Sequence, residues 1–117
     1  MTLSIKIYHN PRCSKSRQTL KLLEERELPV DIIEYLKEAP SKAELESVIK
    51  LLNMQPRDLM RKGEAVYKEL GLKDDGLSRD QLISAMLENP ILIERPIVLA
   101  NGKAAIGRPP ESVLDIL

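Results

Sequence analysis

The stretch Leu3-Ser4-Ile5-Lys6-Ile7-Tyr8-His9-Asn10-Pro11-Arg12-Cys13-Ser14-Lys15-Ser16-Arg17-Gln18-Thr19-Leu20-Lys21-Leu22-Leu23 changes its periodicity once, and that change decides the fold. Leu3, Ile5 and Ile7 alternate with Ser4, Lys6 and Tyr8, the period of a strand with one buried face. Asn10-Pro11 ends it. From Cys13 or Ser14 the pattern becomes helical, with Leu20, Leu22 and Leu23 as the apolar residues, until Leu28-Pro29 stops it. Val30-Asp31-Ile32-Ile33-Glu34-Tyr35 then reads as a second strand. Strand, helix and strand within about thirty-five residues make a βαβ unit, with parallel strands expected.

Farther out, Pro96 precedes the strand-like Ile97-Val98-Leu99-Ala100. Asn101-Gly102 is a two-residue hairpin turn, because both residues tolerate positive φ. Lys103-Ala104-Ala105-Ile106 returns as the partner strand, and Pro109-Pro110 opens a last helix carrying Val113, Leu114 and Leu117. The middle of the chain is helical. Ser41-Lys42-Ala43-Glu44 is a capping box followed by Leu45, Val48, Ile49 and Leu52. Pro56 starts a short helix ended by Gly63, and Glu64 to Leu70 adds another, closed by Gly71 at C′. Ser78-Arg79-Asp80-Gln81 is a second capping box, ahead of Leu82, Ile83, Met86 and Leu87. The order βαβ, helices, ββα is the α/β plan of a thioredoxin-like fold. The expectation is one domain over residues 1–117, with a helical insertion at about 37–94 between its halves.

The bulk composition agrees and narrows the function. At 117 residues the chain suits one domain. Phe and Trp are absent and Tyr occurs three times, so the core comes from Leu, Ile, Val and Met, and a base-stacking surface is not expected. Eighteen basic residues balance eighteen acidic ones, so no global field draws nucleic acid or anionic lipid, and an anion must be held by a local cluster. No apolar run is long enough to span a bilayer, and Met1-Thr2-Leu3-Ser4-Ile5-Lys6 lacks the regions of a secretory signal. The single cysteine cannot form an internal disulfide, so the cytoplasm is the expected compartment, and thiol turnover needs a second molecule. No metal or bound cofactor is expected.

Cys13 stands between the first strand and the first helix. Unpaired amides and the positive end of the helix dipole stabilise a thiolate there, and the same amides bind an oxyanion. A lone cysteine is often a buried, inert thiol, but this one lies in a polar turn. His9, the only histidine, precedes it by four residues. Protonated, it would lower the cysteine pKa; otherwise it ends the strand with a structural hydrogen bond. Of the Ser14 and Ser16 hydroxyls, one is expected to cap the helix, and Arg17 can fold back toward the loop. In a thioredoxin plan Pro96 is a cis-proline candidate beside the cysteine, which would face Arg95 toward Cys13. Arg61 and Arg108 carry planar forks suited to tetrahedral oxyanions. Spacing alone does not single out these three arginines from the other basic residues.

The segment Tyr8-His9-Asn10-Pro11-x-Cys13-x-x-Ser16-Arg17 resembles the active loop of the glutaredoxin-coupled arsenate reductase family. Leu59-Met60-Arg61-Lys62, Pro90-Ile91-Leu92-Ile93-Glu94-Arg95-Pro96-Ile97-Val98 and Gly107-Arg108-Pro109 match its other blocks in order. The resemblance is strongest to the shorter, arsenate-reductase-related branch. It implies a thioredoxin-like fold and Cys13 as nucleophile. It implies Arg61, Arg95 and Arg108 as oxyanion-binding residues, and His9, Ser16 and Arg17 as the residues that lower the cysteine pKa and support the loop. The implied reaction is reduction of arsenate to arsenite in the cytoplasm, with glutathione as co-substrate and glutaredoxin as partner. Two other readings compete. One is a glutathione-dependent thiol oxidoreductase with another substrate. The other is an Spx-like transcription regulator binding RNA polymerase; there Ser16 stands where switch-bearing members have the second cysteine.

Overall fold

In the computed structural model, which describes residues 5–117, β1 (Ile5–Tyr8) leads through a polar turn into α1 (Ser14–Glu25) and back along β2 (Val30–Ile33). Then follow α2 (Lys42–Leu52), α3 (Ala65–Glu69) and α4 (Arg79–Glu88), and finally β3 (Ile97–Ala100) and β4 (Lys103–Ile106). Tight 3-10 turns occupy Pro56–Leu59, Pro90–Leu92 and Pro110–Ile116. Leu3 and Ser4, the expected start of the first strand, lie outside the described residues.

The sheet order is β2-β1-β3-β4. β1 runs parallel to β2, with Ile5 opposite Val30, and antiparallel to β3, with Ile5 opposite Ala100. β3 and β4 form the antiparallel hairpin, closed by Asn101 (φ 53°) and Gly102 (φ 69°), both left-handed as an Asn-Gly turn requires. This is the thioredoxin-like arrangement.

The chain divides into two compact units. One contains the chain up to Glu38 together with Arg95–Leu117, and the other is Ala39–Glu94. In the first, Ile5 and Ile7 of β1, Val98 and Ala100 of β3, Leu23 of α1, and Val113 and Ile116 form one buried cluster. Each large side chain so buried contributes about 1.5–3 kcal/mol. The inward stripe of α1 is Ser16, Thr19 and Leu23, all fully buried. That corrects the leucine-based expectation: Leu20 and Leu22 are only half-buried. In the second unit both capping boxes are present. Ser41 Oγ accepts from the Glu44 amide at 3.1 Å, and Ser78 Oγ accepts from the Gln81 amide at 3.2 Å.

Two expected helices differ. The Pro56 helix stops at Leu59 instead of reaching Gly63, because Met60 turns extended and bridges Ile93 in an antiparallel pair. The closing segment Pro110–Ile116 is 3-10, not α. Pro109 and Pro110 remove two amide donors at its start, and it closes on i→i+3 bonds such as Ser112 N–H to Pro109 O at 3.0 Å.

Candidate active site

Cys13 is the N-cap of α1, with extended backbone (φ −95°, ψ 122°). Among the described residues no side-chain cap hydrogen bond is made at this helix start, which leaves its first-turn amides available as donors. The expected serine cap is therefore absent. Ser16 has a different job: its Oγ accepts from the Asn10 amide at 3.0 Å and bonds His9 Nδ1 at 2.6 Å. Which of the two groups donates in the His9–Ser16 bond is set by the ring's tautomer.

The turn holding the cysteine is pinned at several points. Asn10 Oδ1 accepts from the Arg12 amide at 3.0 Å, and the Asn10 carbonyl accepts from the Cys13 amide at 3.0 Å. Arg17 folds back, donating from Nη1 to the Pro11 carbonyl at 2.9 Å. His9 N–H donates to Ile33 O at 2.8 Å, fixing the end of β1 against β2. His9, Asn10 and Ser16 are all buried. Asn10 thus does more than end the strand, and the Asn-Pro pair is the sequence signal for its Asx turn.

Burial holds the His9 imidazole below the ordinary histidine value. Glu34 opposes that shift, Arg17 reinforces it and Glu24 opposes it. The ring is thus neutral at neutral pH. Of the two readings of His9, burial favours a structural hydrogen-bonding partner of the loop over a positive charge beside Cys13.

The positive charge at the sulfur comes from far along the chain. Arg108 donates from Nη2 to Cys13 Sγ at 3.7 Å while its Nε donates to the Arg95 carbonyl at 2.8 Å. The sheet explains the meeting: β3 lies beside β1, and β4 beside β3, so the segments before β3 and after β4 come to the end of β1 that precedes the turn. The Arg95–Pro96 bond is cis, and so is Arg108–Pro109, which the sequence reading did not foresee. Cys13 is 8% exposed, Arg95 half-buried and Arg108 exposed, so a guanidinium borders the sulfur's opening to solvent.

Arg61 belongs to the other compact unit. There its Nη1 lies 3.4 Å from Glu64 Oε1 and its Nε 3.7 Å from Glu94 Oε1. Among the described residues no group of three His, Cys, Asp or Glu could hold a metal ion, and no helix is long and apolar enough to cross a membrane.

Comparisons with known proteins give the chain a family. The ArsC family model matches residues 8–116. Uncharacterized protein YfgD of Escherichia coli strain K12 is 55% identical over 118 aligned residues, covering 100% of this chain and 99% of that protein. The arsenate reductase of Neisseria meningitidis serogroup A is 49% identical over 114 residues, 97% of each chain. Among solved structures, the arsenate reductase from Vibrio cholerae matches with a TM-score of 0.97 at 52% identity, over 100% of both chains. On sequence and fold together, this chain belongs to the ArsC family.

Proposed function

We propose that this protein reduces arsenate to arsenite, with Cys13 as the nucleophile and with glutathione and glutaredoxin supplying the electrons. The observation that carries the assignment is the Arg108 guanidinium 3.7 Å from Cys13 Sγ at the uncapped start of α1. A lone inert thiol has no reason to be so placed. An attacking sulfur that must share its site with a tetrahedral anion does. Relatives named arsenate reductase at about half identity across nearly the whole chain support the same reading.

In this mechanism arsenate enters between the α1 amides and the guanidiniums of Arg95 and Arg108, and Arg61 is carried as a further oxyanion-binding residue. Cys13 thiolate forms an S–As bond, and one arsenate oxygen leaves as water. Arg108 and the amides stabilise charge on the remaining oxygens. Glutathione then forms a second S–As bond with loss of another water. A glutaredoxin thiolate attacks the glutathione sulfur; the released electron pair stays on arsenic, which becomes trivalent, and the products are a mixed disulfide and a Cys13–arsenic(III) thioester. Hydrolysis frees arsenite and the Cys13 thiol. His9, Ser16 and Arg17 hold the loop in attack geometry. In this reading residues 1–117 act as a single functional domain. A thiol-dependent cycle on one cysteine suits the reducing cytoplasm.

The test is turnover of arsenate by purified protein with glutathione and glutaredoxin, beside Cys13→Ser and Arg108→Ala. Cys13→Ser should be inactive, and Arg108→Ala should lose roughly 10²–10³-fold in kcat/KM, the usual worth of a transition-state donor. Full activity of Cys13→Ser would remove the nucleophile and the proposal with it.

A further inference from the structure

We propose that Glu64 and Glu94 make Arg61 selective for an oxyanion that still carries a proton. This rests on the reading of Arg61 as an oxyanion-binding residue. Its basis is the geometry of one guanidinium held by two carboxylates.

Arg61 is not a free surface charge. Its side chain and those of Glu64 and Glu94 are each only about a quarter exposed, at 25%, 25% and 27%. The Arg61 amide donates to the Leu92 carbonyl at 2.7 Å, and the Glu94 amide donates to the Leu59 carbonyl at 2.8 Å. These two bonds frame the Met60–Ile93 bridge. Leu59, Met60, Leu92 and Ile93 are buried beneath it, so the backbones carrying Arg61 and Glu94 are fixed. Glu64 is brought in by a tight turn, its amide donating to the Arg61 carbonyl at 3.2 Å.

Glu64 Oε1 accepts from Nη1 at 3.4 Å, Glu94 Oε1 stands as an ion pair 3.7 Å from Nε, and among the described residues Nη2 makes no hydrogen bond. That edge is the one left for a substrate oxygen. Any anion accepted there meets one positive and two negative charges. A bare dianion is repelled. An oxyanion with an O–H turns the proton to a carboxylate, which can only accept, and the repulsion becomes a hydrogen bond. A site built to accept from a substrate hydroxyl rejects the analogue lacking it. Arsenate and phosphate keep at least one proton at neutral pH; sulfate keeps none.

The experiment measures inhibition of arsenate turnover by sulfate and by phosphate in the full chain, in Glu64→Gln and in Glu94→Gln. Inhibition constants do not depend on how much of a preparation is active, so partial misfolding does not mimic the effect. In the wild type sulfate should inhibit far more weakly than phosphate. In each glutamine variant, whose amide can donate to an unprotonated oxygen, the sulfate-to-phosphate ratio should fall about tenfold, the worth of one charge-assisted hydrogen bond. An unchanged ratio in both variants overturns the proposal. So does an equal strengthening of both anions, which would make the carboxylates mere screens. Arg61→Ala separates the layers. A raised arsenate KM with an unchanged ratio in the glutamine variants removes only the selectivity. An unchanged KM removes the underlying role of Arg61.

Discussion

Gly107 stands where a side chain has no room. A Cβ there would collide with Thr19 Oγ1 and lie 2.7 Å from Pro96 Cγ, and the glycine amide donates to the Pro96 carbonyl at 2.9 Å. Thr19 cannot yield, because it is fully buried with its hydroxyl donating to Lys15 O at 2.8 Å. Gly107→Ala should cost about 1–3 kcal/mol through overpacking, read as a fall of several degrees in Tm. Its neighbour Arg108 should lose its hold on the sulfur, so kcat/KM should drop beyond what the stability loss explains. His9 gives a second residue-scale prediction. Unfolded, it titrates near 6.5, and folded it titrates lower because it is buried. As pH falls through the unfolded value, the unfolded chain binds a proton that the folded chain resists. Stability should therefore decline from about neutral pH downward and level off only below the folded value. In His9→Gln that share of the slope should be missing, which urea melts at several pH values would show. Equal slopes in the two proteins would contradict the buried neutral ring.

At the scale of elements, the local stereochemistry is strong enough to read and to break. Gly102→Ala forces a β-carbon into left-handed backbone and should cost about 1–2 kcal/mol. Ser41→Ala and Ser78→Ala should each cost about 1 kcal/mol by removing one capping bond. These caps and the Asn101-Gly102 turn are legible because each depends on two to four consecutive residues. The buried face of α1 is not. A search for leucines at helical spacing passes over Ser16, whose hydroxyl is satisfied by His9 and Asn10 only once the loop has formed, and over Thr19, whose hydroxyl bonds back to Lys15 O within the helix. The early end of the Pro56 helix is hidden for the same reason. Met60 leaves helical geometry to pair with Ile93, a partner more than thirty residues away. That pairing also aligns Arg61 with Glu94. The candidate site divides along this line: Cys13 and its turn could be found by position, whereas the bond from Arg108 depends on the sheet order.

At the scale of the whole molecule, one cysteine among 117 residues constrains the reaction more than any single distance does. Reducing pentavalent to trivalent arsenic takes two electrons. A thiol that forms only an S–As bond has contributed a ligand, not an electron pair; the pair is released when two sulfurs join as a disulfide. Ser16 occupies the position where a Cys-x-x-Cys pair would put the second sulfur, and its hydroxyl is already committed to His9 and Asn10. In the proposed cycle the chain alone therefore takes arsenate to the Cys13 adduct and no further. Rapid-quench mixing of excess enzyme with arsenate, without glutathione or glutaredoxin, should yield no free arsenite and no enzyme disulfide. Adding glutathione alone should still leave arsenic pentavalent in the early phase, and glutaredoxin should start arsenite release. A burst of arsenite from the isolated protein, stoichiometric with Cys13, would demand an electron source that this sequence does not contain.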